Sequence, residues 1–94
     1  MTTVTIIGAD ETCEVARLPH YEAGVQYALD ALGGAVCEPE WTEYSGRPCS
    51  VWRKPQALDL NLDASALYLI NHGEVQSALD DFKLFGPIAI VQEN

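Results

Sequence analysis

A chain of 94 residues holds one domain with one modest core, because at this size only about 60–65% of the unfolded surface is buried on folding. Its 14 acids against 5 bases leave a net charge of −9, which argues against direct nucleic-acid binding and against an anionic membrane surface. Hydrophobic residues make up 48%, enough to offset chain entropy without metals or disulfides, so a disordered tail is the wrong picture.

Met1-Thr2-Thr3-Val4 carries neither the charged start nor the apolar run of a secretory signal, and no stretch is long and apolar enough to span a bilayer. The expected location is the cytoplasm, that of a host cell on the resemblance given below. Cys13, Cys37 and Cys49 are odd in number and show no Cys-x-x-Cys pair, so they are expected to be reduced and half-buried.

Thr2 to Ile7 alternates Thr with Val and Ile, the period of a strand with one face inward. Gly8-Ala9-Asp10-Glu11 supplies turn residues. Thr12 to Leu18 alternates again, with Cys13, Val15 and Arg17 opposite Glu14, Ala16 and Leu18, which predicts an antiparallel hairpin ended by Pro19. From Tyr21, Val25, Ala28, Leu29 and Leu32 recur at helical spacing, and Gly33-Gly34 can take the left-handed conformation that ends a helix.

Ala35-Val36-Cys37-Glu38 reads as a strand broken at Pro39. Trp41–Tyr44 and Cys49–Arg53 flank the turn cluster Ser45-Gly46-Arg47-Pro48 as a second hairpin. Capping residues from Asp59 to Asp63 precede Ala64–Ile70, expected as a short helix with a buried strand as the alternative, and Asn71-His72-Gly73 stops it. Val75, Ala78, Leu79 and Phe82 predict another helix from about Glu74 to Lys83. After Gly86-Pro87, Ile88-Ala89-Ile90-Val91 is apolar on both faces, as in a strand covered on both sides or closed by a partner chain. The expected fold is α+β: a mostly antiparallel sheet of about five strands with two or three helices packed on it.

Catalytic and cofactor motifs fail on their spacing. Asp59-x-Asn61-x-Asp63 begins like a calcium loop, but Ala64 stands where glycine is required and Ile70 where a bidentate Glu is required, so helix capping explains it better. Cys13, Cys37, Cys49, His20 and His72 are scattered singly, without the pairing of a zinc site, and nothing local orients a base against a thiol. Gly8-Ala9-Asp10 lacks the further glycines of a dinucleotide loop, and no Walker motif occurs. No enzyme, metal or cofactor is expected. Three of the five bases, Arg47, Arg53 and Lys54, gather around the second hairpin. They can pair with Glu40 and Glu43 across it, or form an anion pocket with Trp41, Tyr44 or Trp52 to stack on a ring.

The alternating first strand, the helix carrying Gln26, Gly33–Glu38, the Glu43-Tyr44-Ser45-Gly46 turn, the Leu60-Asn61-x-x-Ala64 step and the closing Phe85–Val91 strand resemble a family of short phage and mobile-element proteins. That family is known only as a domain of unknown function. Its hairpin carries Asn-Glu-x-Gly where this chain has Thr42-Glu43-Tyr44-Ser45-Gly46, and no catalytic residue carries over. What the resemblance implies is a small accessory protein that occupies a host protein.

Two functions follow as expectations. One is a counter-defence or host-takeover inhibitor presenting Asp10, Glu11, Glu14, Glu38, Glu40 and Glu43 to a basic groove on a host protein. The other is a nucleotide-binding or sequestering module using Arg47, Arg53, Lys54 and Trp52. A homodimer is expected in either case, because an apolar terminal strand in so small a chain has reason to seal against a copy of itself.

Overall fold

The computed structural model describes residues 1–38, 42–71 and 84–93. Over these residues the fold is α+β, an antiparallel sheet of six strands with two helices packed on it. β1 (Thr2–Ile7) and β2 (Cys13–Leu18) form the expected hairpin, in register from Thr2 opposite Leu18 to Ile7 opposite Cys13. Its turn is closed by the Glu11 N–H on the Gly8 carbonyl (3.3 Å) and the Gly8 N–H on the Thr12 carbonyl (2.8 Å). Glu11 sits at φ 71°, the left-handed residue that follows a type I turn in a three-residue hairpin loop.

α1 (Tyr21–Leu32) begins at His20, whose Nδ1 accepts the Ala23 N–H at 3.2 Å, an imidazole in the place usually taken by a hydroxyl or carboxylate. The helix ends at Gly33 with φ 70°, so that the N–H groups of Gly33 and Gly34 reach the carbonyls of Asp30 and Leu29.

β3 (Val36–Glu38), β4 (Glu43–Tyr44) and β5 (Arg47–Arg53) follow. The second hairpin is tighter than its four-residue turn cluster suggests. Ser45 and Gly46 take φ of 53° and 77°, a type I′ pair matched to strand twist, so Tyr44 faces Arg47 directly and Arg47-Pro48 belongs to β5. α2 (Leu62–Asn71) decides the open choice at Ala64–Ile70 for a helix, and β6 (Ile88–Glu93) closes the fold. The helix expected from about Glu74 to Lys83, and the stop at His72-Gly73, lie outside the described residues.

The strand order is β2-β1-β6-β5-β3, with β4 on β5. β6 is therefore internal, and Ile88, Ala89, Ile90 and Val91 are all buried. Ile88 and Ile90 join Ile7, Val51, Ala64 and Leu84 on the face that α2 covers. Ala89 and Val91 join Val4, Ala28 and Leu32 under α1. The single core expected from chain length is thus two half-cores divided by the sheet. Both apolar faces of β6 are covered within one chain, which removes the reason for expecting it to seal against a second copy.

α1 lies close against the sheet at Gly24, where a Cβ would stand 2.6 Å from Thr2 Cγ2 and 3.1 Å from Val91 Cγ1. On the other face the fold is tied by Asn61, which is fully buried. Its Nδ2 donates to the carbonyls of Ile7 (2.9 Å) and Gly86 (2.8 Å), and its Oδ1 accepts the Ala64 N–H (3.0 Å).

Two stability predictions follow from these contacts. Asn61→Ala strands three buried main-chain groups, each costing roughly 1–3 kcal/mol, so urea unfolding is expected to show a loss above about 3 kcal/mol. A loss below about 1 kcal/mol would mean that water replaces the amide. Gly24→Ala gains about 1 kcal/mol of helix propensity against about 1–3 kcal/mol of overpacking on a central strand. A lower Tm is expected, and a higher one would show that the Thr2 methyl yields.

Candidate functional site

The acids singled out in the sequence fall into two separate groups. Asp10 and Glu11 occupy the β1–β2 turn, and Glu14 lies on β2, all exposed. The Asp10 carboxylate accepts the Thr12 hydroxyl (2.6 Å) and the Thr12 N–H (3.3 Å), and these bonds, the hydroxyl's first, hold its pKa below the ordinary value. Glu14 accepts the Tyr27 hydroxyl of α1 at 3.4 Å. Beside the turn lies an open cleft of about 710 Å³ whose wall includes Asp10, Thr12, Asp59, Leu60 and Pro87. Asp59 thus joins this group, delivered by the short bridge of Leu60 to Phe85 and by the Gly86 N–H on its own carbonyl (2.6 Å). Its sequence position marks it as a helix-capping neighbour of Asn61, and only the tertiary bridge brings it to the turn.

Glu38 on β3 and Glu43 on β4 stand at the opposite border of the sheet, with β1, β6 and β5 between them and β2. Glu40 and Trp41 lie outside the described residues. Of the acids expected on one surface, Glu38 and Glu43 are therefore set apart from Asp10, Glu11 and Glu14 by the strand order.

Among the described residues, Arg47, Arg53, Lys54 and Trp52 do not come together as one ring-stacking pocket. Arg47 and Arg53 stand at opposite ends of β5, about 20 Å apart at the usual rise per residue. Alternation turns Trp52 to the α1 face, away from Arg47 and Arg53. There it is partly buried against the Val4–Val91 half-core, and its Nε1 donates to Ser50 Oγ at 3.0 Å. Lys54 follows β5 and is exposed. Tyr44 packs against the other half-core.

A second pair of shallow clefts, about 540 and 410 Å³, meets at the start of α1 and shares Tyr21 and Glu93. Cys49 lines one and His20 the other, the residue types of a thiol nucleophile and its base. Both are occupied otherwise. Burial, with lesser help from Cys37 and Glu43, pushes the Cys49 thiol up to about 11, so it is protonated at neutral pH. His20 spends Nδ1 on the helix cap, and Tyr21 donates its hydroxyl to Ser50 Oγ. Of the three cysteines expected to be half-buried, only Cys49 is; Cys13 and Cys37 are exposed because they sit in the two bordering strands.

Asp59, Asn61 and Asp63 do not converge as a cation site, since Asn61 turns inward while both aspartates are exposed. Among the described residues no group of three His, Cys, Asp or Glu side chains comes together as metal ligands, and no helix is long and apolar enough to cross a membrane. Comparison with protein-family models, with curated proteins and with solved structures finds no match to this chain.

The thiols offer a direct check. Titration with a disulfide reagent at about pH 8 is expected to modify Cys13 and Cys37 in the folded chain and to spare Cys49 until the chain unfolds. A fast third equivalent would reveal an activated Cys49.

Proposed function

We propose that this chain is a non-catalytic protein-binding module that docks on a basic surface of another protein through the acidic end of its sheet. Asp10, Glu11 and Glu14, with Asp59 across the cleft, supply that end. The observation that carries the reading is that Asp10 and Asp59, from two remote segments, line one cleft beside the hairpin turn that also carries Glu11, in a chain of net charge −9. Such a field speeds encounter with a positive partner and fixes orientation more than it adds affinity. An inhibitor-like accessory role, in the phage setting implied by the sequence resemblance and acting in a host cytoplasm, belongs to the same proposal. The nucleotide-binding alternative has less behind it, because Arg47 and Arg53 stand at opposite ends of β5 and Trp52 lies on its other face.

Affinity capture on the immobilised chain, followed by calorimetry with the purified partner, tests the proposal. Binding is expected to weaken about tenfold or more between about 0.05 and 0.5 M salt. The triple variant Asp10→Lys, Glu11→Lys, Glu14→Lys is expected to lose at least about tenfold in association rate. Glu38→Lys with Glu43→Lys should leave it within about twofold. A loss on the second pair alone would move the interface to the other border. A nucleotide-sized mass retained in native mass spectrometry, and shed by Arg53→Glu with Lys54→Glu, would favour the ligand-binding alternative.

A further inference from the structure

The borders of the sheet are built differently. At one side β3 and β4 are only three and two residues long. Short border strands are ordinary protection against unwanted pairing. At the other side β2 runs six residues, pairs with β1 in unbroken register and contains no proline. Cys13, Glu14, Val15 and Arg17 are exposed along it, Val15 at 61%. A regular edge of this length is a template for another strand.

Hydrogen-bond alternation says which main-chain groups are on offer. Gly8 and Thr12 form a hydrogen-bonded pair, and in an antiparallel ladder such pairs alternate with non-bonded ones. Glu14, Ala16 and Leu18 therefore turn their main chain to β1, while Cys13, Val15 and Arg17 turn N–H and carbonyl outward.

Two copies of β2 meeting antiparallel must set outward residues opposite outward residues, so the two-fold axis passes through a residue. An axis at Glu14 sets two carboxylates face to face, which is unfavourable. An axis at Ala16 engages only Val15 and Arg17 of the outward set. An axis at Val15 engages all three, setting Val15 against Val15 of the second copy, Cys13 against Arg17 and Glu14 against Ala16. That register forms about six main-chain hydrogen bonds, one N–H from each outward residue of each copy, and brings no like charges together.

β2 also carries one acid and one base, so the strand is locally neutral in a chain of net charge −9. The acidic turn at Asp10-Glu11 falls beyond the paired segment at each end. We propose that β2 is a self-association edge, through which two copies of this chain join their sheets about a two-fold axis at Val15. This stands apart from the acidic-end reading, and either can hold without the other.

Sedimentation equilibrium from about 1 µM to 1 mM, read with amide exchange, tests it. A monomer–dimer equilibrium is expected, with exchange at Cys13, Val15 and Arg17 slowing as concentration rises. Val15→Pro removes an outward N–H at a place where an edge strand tolerates proline, and Val15→Lys sets like charges across the axis. Each is expected to weaken dimerisation at least about tenfold. Circular dichroism of Val15→Lys should match the parent, which separates lost pairing from lost folding. A monomer at every concentration overturns the proposal, as does a dimer untouched by both variants. A chain that stays monomeric, with those amides protected only by an added basic extended peptide such as an oligolysine, also overturns it and gives the edge to a foreign strand.

Discussion

One buried amide holds three parts of this fold together. Asn61 joins the end of β1 through the Ile7 carbonyl, the approach to β6 through the Gly86 carbonyl, and the first turn of α2 through the Ala64 N–H. Its main chain continues the knot. The Asn61 N–H donates to the Leu84 carbonyl (2.8 Å), and Ser65 Oγ donates to the Asn61 carbonyl while accepting the Leu84 N–H (2.7 Å). A buried network of this kind specifies one arrangement only when each member is satisfied, and here Asn61 and Ser65 use both donor and acceptor capacity. Without it, the segment entering α2 would have little reason to lie against the segment entering β6.

That placement makes β6 the middle of the sheet and commits both of its faces to the half-cores. Among the described residues α1 lies over one side of the sheet and α2 over part of the other. The rim offers strand borders, turns and helix starts for recognition. The exposed acids follow that division. Asp10 and Asp59 line one cleft where the β1–β2 turn meets the Asn61 segment, so the residues that fix the core also position these acids.

Much of the architecture was legible because local and tertiary preferences agree. The period of two in Thr2–Ile7 survives as a strand whose alternate residues meet α1, and Gly33 sits at the left-handed end that its lack of a Cβ suits. The second hairpin shows a partial failure. Ser45-Gly46-Arg47-Pro48 reads as four turn residues, yet two positive φ angles complete the reversal and Pro48 stands in β5 near its start, where a missing N–H costs least. Asn61 was readable as a cap, and it does cap; that its amide also reaches across 54 positions to Ile7 leaves no trace in spacing. For the site, shared charge was no guide to position. Charge alone groups Glu38 and Glu43 with Asp10, Glu11 and Glu14, and the strand order sets three strands between the two sets. Trp52 and Arg53 adjoin in sequence, yet neighbours on a strand face opposite ways, so adjacency alone does not put a ring beside a guanidinium.

The acidic end is also a preorganised charge. Asp10 is held by Thr12 within the turn it helps to form, and its lowered pKa means that the folded chain binds this proton less readily than the unfolded one. A depressed carboxyl contributes stability above its unfolded value and loses that contribution as pH falls through the lower, folded value. Throughout the neutral range the carboxylate is therefore ionised and its direction is set by two hydrogen bonds. Gly8 completes the arrangement, since a Cβ there would stand 2.3 Å from Thr12 Oγ1 and 2.5 Å from Asp10 Oδ1. A side chain at position 8 would force the pair apart and leave Asp10 a mobile surface acid. Glycine at this position thus gives the hairpin a fixed negative tip, and fixed charge loses less conformational entropy on meeting a partner than charge on a free side chain.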